Sequence, residues 1–162
     1  MKIIILFTIL LSFNMSFAQN FSKKDFKKII REYKKEERQY GYSYYSTIST
    51  NNKDSIFFQS DTVTLFSSKI GIRKNEYCRT IQFDFKKWNR VNLIDCKICN
   101  GQSICYVTTD KNVYKYNLHE VDQDLFISLK NKYTQMTFRI TGAKKISDNG
   151  NEYFEIKLLK EK

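Results

Sequence analysis

Residues 80–107 read TIQFDFKKWNRVNLIDCKICNGQSICYV, and the Asn100-Gly101 pair near the end of this stretch predicts a two-residue turn. Both central positions of a type I′ turn require positive φ, which asparagine and glycine adopt readily. Counting outward from the turn sets Cys96 opposite Cys105 in a non-hydrogen-bonded pair, where the Cβ atoms lie close together. We therefore predict a β-hairpin that is stapled by a Cys96–Cys105 disulfide.

The segment before the hairpin, residues 80–85, alternates polar and apolar side chains, which is the period of a strand with one buried face. If the loop after this strand reverses the chain, Phe83 lies opposite Ile94. The same register sets Cys78 opposite Cys99, close enough for a second bridge. The sequence therefore predicts two disulfides, Cys96–Cys105 and Cys78–Cys99.

The N-terminus carries the pattern of a secretory signal peptide over residues 1–18. Lys2 is followed by an apolar run, and Ser16-Phe17-Ala18 places small residues at the −3 and −1 positions of a cleavage site. The run is too short for a transmembrane helix, which needs about 20 apolar residues. We expect residues 19–162 to form a single soluble domain that is periplasmic or secreted.

Export also bears on the role of the four cysteines. Disulfides persist outside the cytosol, whereas four thiolates could instead bind zinc and a C-x-x-C pair could act in redox chemistry. A redox pair is expected at a helix N-terminus, but Cys96 and Cys99 lie in a predicted strand beside a turn. We favour disulfides, and we expect no metal site and no cofactor.

The absence of proline, the 15% of aromatic residues and the regular spacing of alternating segments predict a mainly β fold. A second hairpin is expected across the loop Ser147 to Asn151, with residues 136–140 opposite residues 154–158. Short connections favour an antiparallel sandwich or a partly closed barrel with one N-terminal amphipathic helix, stapled by disulfides. The other predicted strands lie near Ser55–Gln59, Thr62–Ser68, Val113–Leu118, Leu125–Leu129, Gln135–Thr141 and Glu152–Leu159.

The helix is predicted from Ser22 to about Arg38. Ser22 can serve as the N-cap with Asp25 at position N3, and Phe21 can pack on Phe26 as a hydrophobic staple. The apolar residues fall on one stripe of the helical wheel, as expected for a helix that docks on a sheet. They are Phe26, Ile29, Ile30, Tyr33 and Tyr40.

The opposite arc of this helix is basic. Without residues 1–18, the chain loses Lys2 and no acid, which leaves 27 basic and 17 acidic residues. Like charges at i,i+4 oppose helix formation by roughly 0.2–0.5 kcal/mol per pair, and an anionic partner would relieve that cost. A merely solvated face is the alternative. The predicted anion-binding residues are Lys24, Lys27, Lys28, Arg31 and Lys35.

The only histidine, His119, begins the acidic segment H-E-V-D-Q-D. With Glu120 and an arginine such as Arg79 or Arg90, it could supply general acid–base groups. The structural alternative is a solvated loop between two strands. This segment matches no known catalytic motif.

Two functions are consistent with these features. The first is an exported, non-catalytic binding protein whose basic surface contacts an anionic polymer, a polysaccharide or a lipid head group. The alternative is a small secreted hydrolase, nuclease-like, that uses His119 with nearby acidic and basic residues. We favour the binding protein, because the basic helix has a physical rationale and the histidine segment lacks a motif.

Overall fold

The computed structural model describes residues 21–40, 43–47, 60–68, 79–99, 102–105, 109–148 and 150–162. The predicted signal peptide and the predicted strand near Ser55–Gln59 lie outside this part of the chain, so both remain predictions. The described residues form one α-helix, α1 (Lys23–Tyr40), a 3-10 helix (Asp110–Asn112) and nine strands. The strands are β1 (Ser43–Thr47), β2 (Thr62–Ser68), β3 (Arg79–Lys86), β4 (Arg90–Cys99), β5 (Gln102–Cys105), β6 (Val113–Val121), β7 (Asp124–Lys130), β8 (Gln135–Asp148) and β9 (Asn151–Lys160).

The strands form one antiparallel sheet in the order β3-β1-β2-β9-β8-β7-β6-β4-β5. Strand β3 pairs with β4 as well as with β1, so the sheet curves back on itself. Among the described residues, the β4–β6 ladder joins only Arg90–Asn92 to Val113–Lys115, so the ring of strands is not a fully closed barrel. The predicted mainly β, antiparallel fold with one helix is confirmed.

The inner face of the sheet forms the hydrophobic core, and α1 packs against it. Phe26, at the centre of the helical stripe, lies edge-on to Phe85 of β3, with ring centroids 6.1 Å apart. Phe21 packs on Phe26 at 6.4 Å, which confirms the hydrophobic staple. Ile29, Ile30 and Tyr33 are also buried, whereas the side chain of Tyr40 lies outside the described part.

The β4–β5 hairpin has the predicted register. Cys96 pairs with Cys105, and Cys99 pairs with Gln102. The Cα atoms of Cys96 and Cys105 are 4.0 Å apart and their sulfur atoms are bonded, which confirms this disulfide. The Asn100-Gly101 pattern was therefore sufficient to predict both the pairing and the bridge.

The β3–β4 register differs by one residue from the prediction. Phe83 pairs with Leu93, not with Ile94, and the strands continue to Lys86 and resume at Arg90. The turn between them, residues 87–89, is shorter than the loop predicted over Lys86 to Val91, because Trp88 and Asn89 adopt positive φ values of 62° and 52°. A left-handed tryptophan is uncommon, and nothing in the sequence pattern indicates it.

This shift changes the residues that surround the disulfide. Cys96 pairs with Thr80 instead of Ile81, so it lies on the face opposite the core side chains of β3. The Nε2 of Gln82 donates a hydrogen bond to the Sγ of Cys96 at 3.3 Å. The register that set Cys78 opposite Cys99 is thus wrong. Cys78 lies outside the described residues, and the Cys78–Cys99 bridge stays a prediction.

The β8–β9 hairpin is confirmed, but its strands are longer than predicted. Asp148 pairs with Asn151, so the connection is two residues long, and Gly150 in it has a φ of 76°. The sequence there contains a second asparagine–glycine pair, the same turn signal as in the first hairpin. The predicted pairing of residues 136–140 with residues 154–158 is found only at Ile140, which pairs with Leu158. Phe138 pairs with Lys160, and beyond a register shift between Ile140 and Gly142 the partner of Ile156 is Ala143.

Candidate functional site

The basic face of α1 is exposed along its whole length, as the sequence predicts. Because the apolar stripe is buried in the core, the opposite side of the helix must face solvent. The ammonium of Lys28 lies 3.9 Å from the carboxylate of Glu32, and no other side chain of this face forms an ion pair with a described side chain. We call this set the helix basic face. It consists of Lys24, Lys27, Lys28, Arg31 and Lys35.

The N-terminus of α1 is anchored by three polar groups. The backbone N–H of Ser22 donates to the Oδ2 of Asp25 at 3.1 Å, and the Oγ of Ser22 accepts from the Asp25 N–H at 3.3 Å. These bonds form the predicted capping box. The hydroxyl of Ser22 also donates to the Oδ2 of Asp25 at 2.5 Å, and this bond, together with the one from the Ser22 backbone N–H, holds the pKa of Asp25 below its ordinary value of 3.8. The Oε1 of Glu120 accepts the N–H of Lys23 at 3.0 Å, which fixes the helix end to β6.

The C-terminal half of α1 borders a cleft of about 550 Å³. The Nε of Arg31 donates to the carbonyl of Lys27 at 3.4 Å, so this guanidinium lies along the helix surface. The ammonium of Lys34 donates to the carbonyl of Lys86 at 3.1 Å and joins the helix to the end of β3. The described residues that line the cleft carry four cationic groups and one amide. They are Arg31, Lys34, Lys35, Arg38 and Gln39.

His119 lies within β6 and not in a loop, because the turn that follows is restricted to Asp122 and Gln123, whose φ values are 49° and 72°. Its half-buried ring stacks on Phe126 of β7, with centroids 5.4 Å apart and planes 14° apart. The buried Nδ1 has no hydrogen-bond partner among the described residues. His119 therefore occupies a packed position on the outer face of the sheet.

The structure does not bring the other candidate catalytic groups to His119. Successive residues of a strand point to opposite faces, so Glu120 points to the side of the sheet that α1 covers, where it caps the helix. Arg90 pairs with Lys115, four residues before His119, which is about 13 Å along a strand. Arg79 pairs with Lys97 at the start of β3, and its side chain lies outside the described part.

A larger cavity, about 970 Å³, lies between α1 and strands β8 and β9. Its walls combine apolar side chains such as Ile29 and Phe154 with three acids and three lysines. The three acids balance the three lysines in charge, whereas the helix basic face contains only cationic residues. The cavity therefore offers no attraction to an anion beyond that of the protein as a whole.

A second basic set, which the sequence reasoning missed, lies on the outer face of the sheet. Arg90 pairs directly with Lys115, and Lys115 pairs with Lys130. All three are exposed, and none forms an ion pair with a described side chain. We call Arg90, Lys115 and Lys130 the outer basic row. Only the register of three strands brings these residues together, so no local sequence pattern indicates them.

The described residues contain no group of three or more His, Cys, Asp or Glu side chains placed to hold a metal ion. Among these same residues, α1 is the only long helix, and it is not apolar enough to cross a membrane. Comparisons with protein-family models, with curated proteins and with solved structures found no match to this chain.

Proposed function

We propose that this chain is an exported, non-catalytic protein that binds an anionic polymer or surface through the helix basic face. The observation that carries this proposal is the segregation of charge on α1. One side of the helix is buried in the core, and the other presents Lys24, Lys27, Lys28, Arg31 and Lys35 to solvent.

The basic residues on this helix oppose its own stability. Lys23 and Lys24 lie in the first turn, where the helix dipole disfavours positive charge. Lys27, Arg31 and Lys35 follow each other at i,i+4 spacing, and each such like-charge pair costs roughly 0.2–0.5 kcal/mol. An anion bound along this face would offset these repulsions, so binding and helix stability reinforce each other.

The test replaces Lys27, Arg31 and Lys35 with glutamine and measures binding to fluorescently labelled dextran sulfate and to phosphatidylglycerol vesicles. Each basic side chain at an anionic surface contributes on the order of 1 kcal/mol. We therefore expect about tenfold to a hundredfold weaker binding, with a shallower dependence on salt. Thermal unfolding shows whether the variant keeps its fold.

A matched control replaces Lys144, Lys145 and Lys157 with glutamine, which removes the same charge from β8 and β9. Lys144 and Lys145 form ion pairs with Glu155 and Glu152 on the sheet and are not part of the helix basic face, so this variant tests the effect of net charge alone. If both triple variants weaken binding equally, only the net charge of the protein matters and the proposal fails. His119→Ala should leave binding unchanged, because this ring lies on the other face of the sheet.

A further inference from the structure

The outer basic row is a compact cationic feature of the β-sheet itself. Neighbouring strands lie about 4.8 Å apart, so Arg90, Lys115 and Lys130 span only about 10 Å. Like charges directly opposite each other on adjacent strands are destabilising. At the β3 end of the row, Lys86 is paired with Asp84 at 2.6 Å, which leaves the three members of the row without a neutralising group among the described side chains.

An exposed tryptophan lies at one end of this row. Trp88 is 88% exposed in the turn immediately before Arg90, and its φ of 62° is a conformation that bulky residues rarely adopt. The carbonyl of Asn89 accepts the N–H of Tyr116 at 2.8 Å, which holds the turn against β6 beside Lys115. The ring therefore contributes nothing to the core, although its backbone conformation is strained.

An exposed tyrosine lies at the other end of the row. Tyr133 is 57% exposed in the turn that follows Lys130, and the ammonium groups of Lys111 and Lys132 each lie 5.8 Å from its ring centroid. The side chain of Asn131 organises this turn: its Oδ1 accepts the N–H groups of Tyr133 and Thr134, both at 2.8 Å. A hydrogen-bonded turn thus presents an aromatic ring flanked by two lysines.

We propose that this outer surface, from Trp88 across the outer basic row to Tyr133, binds single-stranded nucleic acid. Single strands are bound where cationic side chains follow the phosphates and aromatic rings stack on the bases. Arg90, Lys115 and Lys130 supply the cations, and Trp88 and Tyr133 supply the rings. Bases in a duplex are already stacked, and an acidic polysaccharide offers charge without an aromatic face.

Trp88 is the only tryptophan of the chain, so its fluorescence reports directly on binding at this surface. Its emission is followed while the protein is titrated with oligodeoxythymidylate of about 12 nucleotides, a length within the site sizes of single-strand binders. Base stacking should quench the emission in a saturable way. Polyphosphate and alginate, which carry charge but no aromatic rings, should leave the emission nearly unchanged.

Two pairs of substitutions test the contribution of stacking, with binding measured by the anisotropy of a labelled oligonucleotide. Trp88→Ala should weaken binding by about fivefold to a hundredfold, because each base stacked on an aromatic side chain contributes on that scale. Trp88→Phe keeps a ring and should restore most of the affinity. Tyr133→Ala and Tyr133→Phe form a second, independent pair at the opposite end of the surface.

The triple variant Arg90→Gln, Lys115→Gln and Lys130→Gln tests the charges. The logarithm of the binding constant falls linearly with the logarithm of the salt concentration, and each phosphate contact on a single strand contributes about 0.7 to the steepness of this slope. The triple variant should therefore make the slope shallower by about 2. The variant with Lys144, Lys145 and Lys157 replaced removes the same charge from outside both basic surfaces and should change oligonucleotide affinity by less than about twofold.

Three results would overturn the inference. One is equal quenching by alginate, which would point to an acidic polysaccharide at this surface. Another is oligonucleotide binding that Trp88→Ala and Tyr133→Ala leave unchanged. The third is a duplex of the same length that binds as tightly as the single strand. None of these results bears on dextran sulfate or vesicle binding by the helix basic face, so the two proposals can fail separately.

Discussion

The helix basic face and the outer basic row are both clusters of exposed cations, but they are assembled in different ways. On α1, the spacing of lysine and arginine along one helix is sufficient to align them. On the sheet, Arg90, Lys115 and Lys130 come from three strands and meet only because of the strand register. The first surface depends on the docking of one helix, and the second depends on the ladders of the sheet.

This difference predicts which changes should affect each surface. A substitution under α1 should disturb the helix basic face and leave the β4–β6–β7 ladders in place. A substitution within these ladders should disturb the outer basic row and leave the helix basic face in place. The expected effects on stability range from several kcal/mol in the core to a few tenths at the surface.

The largest effect is expected for Phe26→Ala. Phe26 is fully buried and packs on Phe85 and Phe21, so its truncation should lower the free energy of unfolding by about 3–5 kcal/mol. Urea unfolding followed by circular dichroism measures this change. Phe21→Ala is the control: Phe21 is only partly buried and should cost much less. If both variants lose the same free energy of unfolding, the contact between Phe21 and Phe26, and not the burial of Phe26 in the core, stabilises the docked helix.

The next effect concerns the disulfide that joins β4 to β5. Replacing both Cys96 and Cys105 with alanine should lower the free energy of unfolding by about 2–3 kcal/mol, because a bridge across a short loop restricts the unfolded chain by that amount. Thermal unfolding with and without the bridge checks this value. Binding to dextran sulfate should be unaffected, since the helix basic face lies on the other side of the sheet. A large loss of that binding would show that the two surfaces are coupled.

The helix cap should contribute less than the disulfide. Ser22→Ala removes the hydroxyl that accepts the Asp25 N–H, and the loss of such a cap costs about 1 kcal/mol. The Ser22 hydroxyl also donates to the carboxylate of Asp25, and this bond gives a pH dependence. Because the pKa of Asp25 is lower in the folded protein than in the unfolded chain, its ionised form stabilises the fold above pH 3.8, and this contribution is lost as the pH falls further.

Asp25→Asn tests the pH dependence directly. The difference in stability between neutral pH and a pH below 3.8 should be smaller in this variant than in the parent protein. Asp110→Asn, in the 3-10 helix, serves as the control because Asp110 forms no capping box. An identical pH profile for Asp25→Asn and the parent would contradict the assigned role of the carboxylate.

Short sequence patterns were sufficient to predict the structural features that depend on residues close together in the chain. The capping box, the apolar stripe of α1 and the Cys96–Cys105 hairpin each depend on residues close together in the chain. The β3–β4 register could not be predicted, because it depends on the left-handed conformation of Trp88, for which the sequence carries no glycine signal. The outer basic row could not be predicted for a related reason, because it depends on the β4–β6 and β6–β7 registers, which no local sequence pattern specifies.

His119 illustrates a different limit of sequence reasoning. Its neighbourhood of acids suggested either a catalytic segment or a solvated loop, and both ideas treated adjacent residues as neighbours in space. In a strand, His119 and Glu120 point to opposite faces, one to Phe126 and the other to the N-terminus of α1. The two-residue turn at Asp122 and Gln123 determines this outcome. Aspartate is common at positive φ in such turns, but glutamine is not, so the pair is a weak turn signal in the sequence.

The smallest predicted effect concerns the centre of the outer basic row, where stability and oligonucleotide binding should change in opposite directions. Lys115 lies directly between Arg90 and Lys130, and like charges on adjacent strands repel each other. Lys115→Gln should therefore raise the free energy of unfolding by about 0.2–1 kcal/mol at low salt, with a smaller gain at high salt. The same variant should bind oligodeoxythymidylate more weakly. Lys157→Gln, whose partners Thr64 and Gly142 are uncharged, should change neither quantity. A loss of stability in Lys115→Gln would mean that its aliphatic stem packs on the sheet and outweighs the repulsion.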